Sequence, residues 1–195
     1  MQNFVRKLVP LFALGVSACG PAWVVVKQAK PNPMVGQKTF AVEPIDFSAM
    51  KIGDPGKITE AEWVAKKKPD EVEKFKSDLQ GSKDRMTENF AKALGAIAAR
   101  QGVTVTAGAQ PGVWTIKPVV TELEPGFNAF VMTQPAVVRL QIHIIDPQGQ
   151  EVDVAEMKAT RDAGSFGAMI TRLGMCGDDL GNRAARYVTS RAAQK

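Results

Sequence analysis

The most regular feature of the chain is a stripe of apolar residues that recurs every three, four or seven positions in its middle third. This spacing places the apolar side chains on one face of a helix. The pattern predicts a long helix over about 70–101, continuous or broken at Gly81-Ser82, with Gly102 as a natural stop. The members of the stripe are Val72, Phe75, Leu79, Met86, Phe90, Leu94 and Ile97.

A short helix is predicted just before the long one. Thr59 and Glu62 have the three-residue spacing of a capping box, in which each residue hydrogen-bonds the backbone of the other. We therefore expect a helix that begins near Thr59 and ends at about Lys67.

Alternating apolar and polar positions predict strands on both sides of the long helix. The clearest alternation runs from Ala136 to Ile145, and Asp146-Pro-Gln-Gly149 then predicts a turn into a return strand over Gln150 to Thr160. Weaker patterns predict strands over residues 37–47 and 113–123. Trp23 to Val26 favours a short strand near the start, and the alternative is an aromatic anchor at the lipid headgroups.

The C-terminal region returns to helical spacing. We expect a helix over about 178–192, capped by Asp178 or Asp179. The order of elements predicts an α+β fold, with a mainly antiparallel sheet and the long and C-terminal helices packed on one face. Glycines upstream of the last helix indicate loops or places of close backbone contact; they are Gly164, Gly167, Gly174, Gly177 and Gly181.

The first 18 residues have the pattern of a secretory signal peptide. Arg6 and Lys7 form a positive start, residues 8–16 are mostly apolar, and small residues lead to Cys19. The apolar run is about half of the roughly 20 residues that a membrane-spanning helix needs. We therefore expect the leader to be removed by cleavage between Ala18 and Cys19.

The residues around that bond, Val16-Ser17-Ala18-Cys19, resemble the lipobox of bacterial lipoproteins. The resemblance implies that the Cys19 sulfur receives a diacylglycerol and that the amine freed by cleavage is acylated. Two or three acyl chains hold a protein stably at a membrane. Gly20 stands where enteric lipoproteins retained in the inner membrane carry Asp, which implies the periplasmic face of the outer membrane. Ordinary secretory cleavage at the same bond, with Cys19 unmodified, is the alternative.

These signals divide the sequence into three parts: a cleaved leader (1–18), a lipid anchor and tether (19–36), and a single periplasmic α+β domain (37–195). Pro31 and Pro33 indicate a spacer within the tether. The net charge of the whole sequence is +5, and the leader's two basic residues supply part of it. A charge this small does not indicate a nucleic-acid partner.

Residues that carry chemistry are few. His143 is the single histidine, and it faces with Arg139 and Gln141 on the polar side of its strand. Ser165 lies in Gly164-Ser-Phe-Gly167, which lacks the spacing of a nucleophile elbow. We therefore expect no catalytic residue.

The cysteines also argue against a metal site. If Cys19 is lipidated, Cys176 is the one remaining thiol, and a single thiol with a single histidine is too few ligands for a typical zinc site. We expect Cys176 to be a small, partly buried helix residue, and we expect neither a metal nor a cofactor.

Four acidic residues near predicted strand ends are the candidates for an interaction site: Glu43, Asp46, Glu122 and Glu124. Two of them could converge as an acid/base pair or as ligands for calcium. The alternative is that they are solvated acids at the ends of strands.

Two of these acids lie in Ala41-Val-Glu-Pro-Ile-Asp-Phe47 and two in Val120-Thr-Glu-Leu-Glu-Pro-Gly-Phe127. With the order strand, long helix, three strands, helix, these segments make the chain resemble bacterial envelope lipoproteins over most of residues 38–193. Related architectures occur in lipoproteins of secretion pores, the Tol system and envelope transporters, where they bind other proteins. The resemblance supplies no catalytic residue.

It implies a membrane-tethered, non-enzymatic protein that acts by protein contacts in envelope assembly, transport or structural complexes. One alternative is the binding of lipid, glycan or peptidoglycan fragments between the sheet and the long helix. A carboxylate-dependent hydrolase is a further alternative.

Overall fold

The computed structural model of the chain describes residues 22–53, 57–129, 132–162 and 168–194. The leader, Ala18 and Cys19 lie outside the described residues, as do Gly164, Ser165 and Gly167. Within these ranges the chain forms three helices, α1 (Glu60–Ala65), α2 (Val72–Arg100) and α3 (Met169–Ala193). The strands are β1 (Val24–Gln28), β2 (Thr39–Val42), β3 (Lys51–Ile52), β4 (Thr104–Ala107), β5 (Trp114–Glu124), β6 (Phe127–Ala129), β7 (Met132–Gln134), β8 (Ala136–Ile145) and β9 (Glu151–Arg161).

The main sheet has the order β1-β9-β8-β5-β2-β4, and β3 also pairs with β5. The pairs β1–β9, β9–β8 and β8–β5 are antiparallel, whereas β2 is parallel to both β4 and β5 and β3 is parallel to β5. Strands β6 and β7 form a separate two-stranded hairpin. The α+β prediction with a mainly antiparallel sheet is confirmed, although the patterns did not predict β3, β4, β6 and β7.

The long helix is continuous through the predicted break. The Ser82 hydroxyl donates to the carbonyl of Asp78 at 2.6 Å, one turn back, and the helix runs on to Arg100. Gly102 follows with φ of +72°, a conformation that ends the helix and that glycine adopts without strain. The capping box before α1 is also confirmed, because the Glu62 amide donates to Thr59 Oγ1 at 3.2 Å.

The C-terminal helix is longer than predicted and begins at Met169 rather than near residue 178. Gly177 and Gly181 lie inside it, so the prediction of loops there is wrong and that of close backbone contact is right. A Cβ on Gly177 would lie 2.4 Å from the carbonyl oxygen of Met86, and one on Gly181 would lie 2.4 Å from that of Phe90. The two long helices pack this closely because both positions lack a side chain.

Asp178 and Asp179 do not cap this helix, because they lie within it. Asp178 accepts a hydrogen bond from the Asn89 side chain of α2 at 3.1 Å. Asp179 forms an ion pair with Arg161 at the end of β9. Both acids therefore join α3 to neighbouring elements instead of starting the helix.

The core lies between one face of the sheet and the two long helices. Five alternating residues of β8 are fully buried and point to the helices; they are Ala136, Val138, Leu140, Ile142 and Ile144. The residues between them are only partly buried, because the opposite sheet face has no helical cover in the part of the chain that the structure describes. We call this opposite face the polar face.

Candidate functional site

The four candidate acids are spread along β5 rather than gathered in one site. The Glu43 amide donates to the Ile116 carbonyl at 3.0 Å, and the Asp46 amide donates to the Pro118 carbonyl at 2.9 Å. Glu122 and Glu124 lie on β5 itself. At about 3.3 Å per residue these positions span roughly 25 Å of strand. Of the four candidate acids, only Glu122 and Glu124 therefore lie close enough to share one site.

Asp46 has a local structural role. One of its carboxylate oxygens accepts a hydrogen bond from the Ser48 amide at 2.8 Å. This hydrogen bond, with a further contribution from the charge of Lys117, lowers the pKa of Asp46 below its ordinary value. The carboxylate is therefore stabilised in its ionised form as the cap of a turn.

Glu122 and Glu124 line a groove of about 370 Å³ on the polar face, together with Lys57, Arg139 and Lys158. Glu122 pairs with Lys57, and its other oxygen lies 3.1 Å from Arg139 Nε. Its hydrogen bond with Lys57, added to the two positive charges, lowers the pKa of Glu122. Glu124 accepts a hydrogen bond from the Gly126 amide at 3.0 Å.

A general acid needs a raised pKa, and paired catalytic carboxylates have environments that drive their pKa values apart. Glu122 is instead held ionised by two cations. The groove is lined by ion-paired side chains, which can form hydrogen bonds and ion pairs with charged or polar groups.

The network continues across the polar face. Arg139 also contacts Glu156, with 3.2 Å between Nη1 and Oε1. Further along β8, His143 Nδ1 lies 2.6 Å from Glu151, whose pKa is lowered mainly by that hydrogen bond. The predicted placement of His143 on the polar side is confirmed, and its partner there is the Glu151 carboxylate.

Cys176 is fully buried on α3. Desolvation raises the pKa of its thiol to about 12, so the thiolate that would act as a nucleophile or metal ligand is disfavoured. Within the described ranges, no three of the His, Cys, Asp and Glu side chains are placed to hold a metal ion together.

The short strand predicted at Trp23 to Val26 is confirmed as β1, but the sequence patterns missed how residues 22–36, which we call the strap, pack on the domain. Its strand β1 pairs with β9 along one edge of the sheet. The Ala22 carbonyl accepts a hydrogen bond from Arg183 of α3 at 3.1 Å. The Trp23 ring packs edge-on against Tyr187, with 5.6 Å between ring centroids.

A buried ion pair fastens the strap to the domain. Asp153 of β9 has no exposed surface, and its carboxylate lies 2.7 Å from Arg191 Nε of α3. The same carboxylate accepts hydrogen bonds from the Tyr187 hydroxyl at 2.9 Å and from the Ala29 amide at 3.0 Å. One acid thus joins the sheet, the last helix and the strap.

The segment predicted as a spacer is packed in the same way. The Asn32 side chain donates to the Arg191 carbonyl at 2.8 Å, and the Gly36 amide donates to the Ala192 carbonyl at 2.9 Å. Met34, which lies between them in sequence, is fully buried in the core. The prediction of a spacer at Pro31–Pro33 is therefore wrong, because side chains around the prolines supply contacts that composition does not reveal.

No model of a known protein family matches the sequence, and neither does any curated protein. Solved structures with similarity include a variant PelC dodecamer from Paraburkholderia phytofirmans, which is 14% identical with a TM-score of 0.44 and covers 88% of this chain and 99% of that one. A second PelC dodecamer from the same organism is 12% identical with a TM-score of 0.41, over 82% of this chain and 97% of that one.

A protein from Caulobacter crescentus CB15, described as a candidate lipoprotein, is 18% identical with a TM-score of 0.31, over 56% of this chain and 78% of that one. With TM-scores below 0.5, none of these likenesses bears on what this chain binds. Across the described residues, no helix has the length and apolar character to cross a membrane.

Proposed function

We propose that this chain is a lipoprotein of the bacterial envelope, tethered through Cys19, whose domain works by protein contacts and not by catalysis. The observation that carries the proposal is the strap. From Ala22 onward the chain is packed into the domain, and only Gly20 and Pro21 separate Ala22 from Cys19. Three Cα steps span at most about 11 Å. A lipid on Cys19 would hold the folded domain directly at the bilayer surface.

The free edge of β1 supports a role in protein contact. It is the first strand of the sheet order, and Val24, Val25 and Val26 are exposed by 57%, 45% and 57%. A strand edge with unpaired backbone groups and apolar side chains is a template for pairing with a strand of another protein. Lys27, which follows the valines, limits the length of such pairing.

The state of Glu122 and the burial of Cys176 support the absence of catalysis. The lowered pKa of Glu122 disfavours a role as general acid, and the raised pKa of Cys176 disfavours the thiolate that a cysteine nucleophile requires. The groove beside Glu122 favours a second candidate function, the binding of a glycan or peptidoglycan fragment. Native mass spectrometry of the purified protein distinguishes the two, because a retained small molecule supports ligand binding.

The test of the proposal begins with the intact mass of the membrane-extracted protein. We expect cleavage before Cys19 with the added mass of a diacylglycerol and an amide-linked acyl chain, and we expect Cys19→Ala to release the protein from membranes. A mass equal to that of the unmodified chain from Cys19 would support ordinary secretion and contradict the anchor.

The contact function is tested in intact envelopes with a photo-crosslinking amino acid. We expect a specific crosslinked protein when the crosslinker replaces Val26 on the free edge of β1. The matched control replaces Gln148, an exposed residue in the β8–β9 turn. Crosslinks that are absent from both positions, at native abundance, would count against a contact function at this edge.

A further inference from the structure

A cleft of about 630 Å³ lies between the loop before β3, the start of α1 and the first half of α2. We call it the α1 cleft; residues 47–51, residues 59–61 and Lys83 line it. It shares no lining residue with the groove beside Glu122. Pockets that bind small ligands have volumes of about 300–1,000 Å³, with apolar walls and a few polar groups. The α1 cleft has this size and composition.

A nearly buried cation lies in this cleft. The Lys83 side chain is only 10% exposed, and its Nζ lies 2.5 Å from Glu60 Oε2 and 5.5 Å from the centroid of the Phe47 ring. A lysine ammonium has three N–H donors. Within the described ranges, Glu60 is the one acceptor that Lys83 Nζ reaches. Because buried donors normally have partners, this ammonium is suited to hold a further oxygen atom.

The Glu60 carboxylate is free to leave the ammonium. Its side chain is 40% exposed, so rotation about its own bonds would carry it into solvent. The position of α1 does not depend on this contact alone. Trp63 of α1 packs edge-on against Phe75 of α2, with 4.5 Å between ring centroids, and the Lys67 ammonium lies over both rings. Helix α1 can therefore stay in place while Glu60 turns away.

The charges of the cleft determine which ligand it suits. In the described part of the chain, the charged residues that line it are Lys51, Lys83 and Glu60. Once Glu60 turns to solvent, the lining is positively charged. A hydrogen bond between an ammonium and a carboxylate is about twice as strong as one between neutral groups. A ligand with one carboxylate therefore matches the one buried cation, and the apolar walls match an apolar group attached to it.

We propose that the α1 cleft binds an organic carboxylate, whose acid group replaces Glu60 on Lys83 and whose apolar group packs against Phe47. Glu60 is then an internal competitor that holds the ammonium until the ligand arrives. This inference goes beyond the proposed function, because it depends neither on the lipid at Cys19 nor on the free edge of β1. The carboxylate belongs either to a small acid or to a segment of a partner protein.

The test uses the purified chain from residue 19 onward with Cys19→Ala, which retains every residue that the structure describes. The probes are 3-phenylpropionate and its neutral amide, and the readout is the nuclear magnetic resonance shift of backbone amides in residues 47–51 and 59–61. We expect saturable shifts with the acid and none with the amide. Lys83→Met should weaken binding by about tenfold or more, because a hydrogen bond between charged groups is lost. Lys92→Met, at an exposed lysine of α2, is the matched control and should leave binding unchanged.

Glu60→Gln tests the competition directly and keeps the inference testable if Lys83→Met alters folding. Removal of the competing charge should tighten the binding of 3-phenylpropionate several-fold. Glu73→Gln, at an exposed acid that pairs with Lys76, is the control and should have no effect. An ion pair with a structural role alone would give Glu60→Gln a lower melting temperature and no gain in binding.

A short peptide with one phenylalanine and one aspartate distinguishes the two sources of the carboxylate. Tighter binding of the peptide than of 3-phenylpropionate would support the site and assign the acid to a partner protein, whereas tighter binding of the free acid would support the site and assign it to a small molecule. The inference is overturned if neither probe gives saturable shifts, if the neutral amide binds as well as the acid, or if Glu60→Gln does not tighten binding. These outcomes would leave the proposed lipid anchor standing, because the intact mass tests it separately.

Discussion

At the scale of single residues, Asp153 is the side chain on which most of the N-terminal packing depends. Its carboxylate is fully buried and joins Arg191 and Tyr187 of α3 to Ala29 of the strap. A buried ion pair adds little over an apolar pair of the same size, but the loss of one partner leaves an uncompensated charge in the core. The effect of a substitution therefore depends on whether one partner or both are removed.

We expect Asp153→Ala to lower the free energy of unfolding by about 3–5 kcal/mol, because Arg191 keeps its charge without a partner. The double variant Asp153→Ala with Arg191→Met should recover part of this loss. Urea unfolding followed by circular dichroism measures both. Glu73→Ala, which removes an exposed pair with Lys76, is the control and should change stability by less than about 0.5 kcal/mol. Equal effects at Asp153 and Glu73 would contradict the role of the buried pair.

The sequence around Asp153 does not reveal that its carboxylate is buried. Asp153 stands between Val152 and Val154, so local alternation assigns it to the polar face and the two valines to the core. In the sheet it is paired with Ile144 on the helix side, just where the register between β8 and β9 shifts. Its partner Arg191 is distant in the sequence, and only the folded chain brings the two together.

At the scale of elements, the packing of α2 against α3 accounts for the glycines that looked like loop signals. Each glycine lowers helix stability by about 1 kcal/mol relative to alanine. At Gly177 and Gly181 this loss of stability is offset by close helix packing, because the α3 backbone can approach the carbonyls of Met86 and Phe90. Tertiary contact, rather than helix propensity, therefore accounts for a helix that continues through these glycines.

We expect Gly177→Ala and Gly181→Ala each to destabilise the fold by about 1–3 kcal/mol, since the added methyl group would overlap backbone atoms of α2. Gly95→Ala in α2 is the matched control. A Cβ at Gly95 would meet no atom within 4 Å, so this change should raise stability by about 0.5–1 kcal/mol. Thermal melts of the three variants give the comparison. Stabilisation by alanine at residues 177 and 181 would contradict the close approach.

Elements with a strong local pattern were predicted well. The β8–β9 hairpin and the long helix α2 lie close to the predicted ranges, because alternation, a four-residue turn and a helical stripe all act over short distances. Strand β4 has four residues and β3 has two, too short for a periodic signal. Both exist because they pair with neighbours that lie far away in sequence.

At the scale of the whole molecule, the boundary of the domain lies earlier than the proline residues suggested. Composition predicted a tether as far as residue 36, whereas the domain includes β1, the Ala29 contact and the buried Met34. The candidate acids were correctly placed beside strand ends and on β5, but their separation along that strand could not be read without the pairing of β2 with β5.

We expect a chain that begins at residue 37 to be unfolded or destabilised by more than about 5 kcal/mol relative to one that begins at residue 22. Loss of a buried methionine side chain alone costs about 2–5 kcal/mol, and the truncation also removes a partner strand of β9 and the amide bound to Asp153. Circular dichroism and urea unfolding of the two truncated chains test this. Equal stability would show that residues 22–36 are a tether after all.

The packing of the strap has a consequence for how tightly a partner would be held. Association normally costs rotational and translational freedom, and a long flexible linker would leave that freedom to be lost at each encounter. A domain anchored through Cys19 as we propose, with only Gly20 and Pro21 before Ala22, would lose most of its tumbling before any partner arrives. A partner in the same bilayer would meet it at nearly constant height, at a high effective concentration. Contacts too weak to hold two freely diffusing proteins together would then suffice at the membrane.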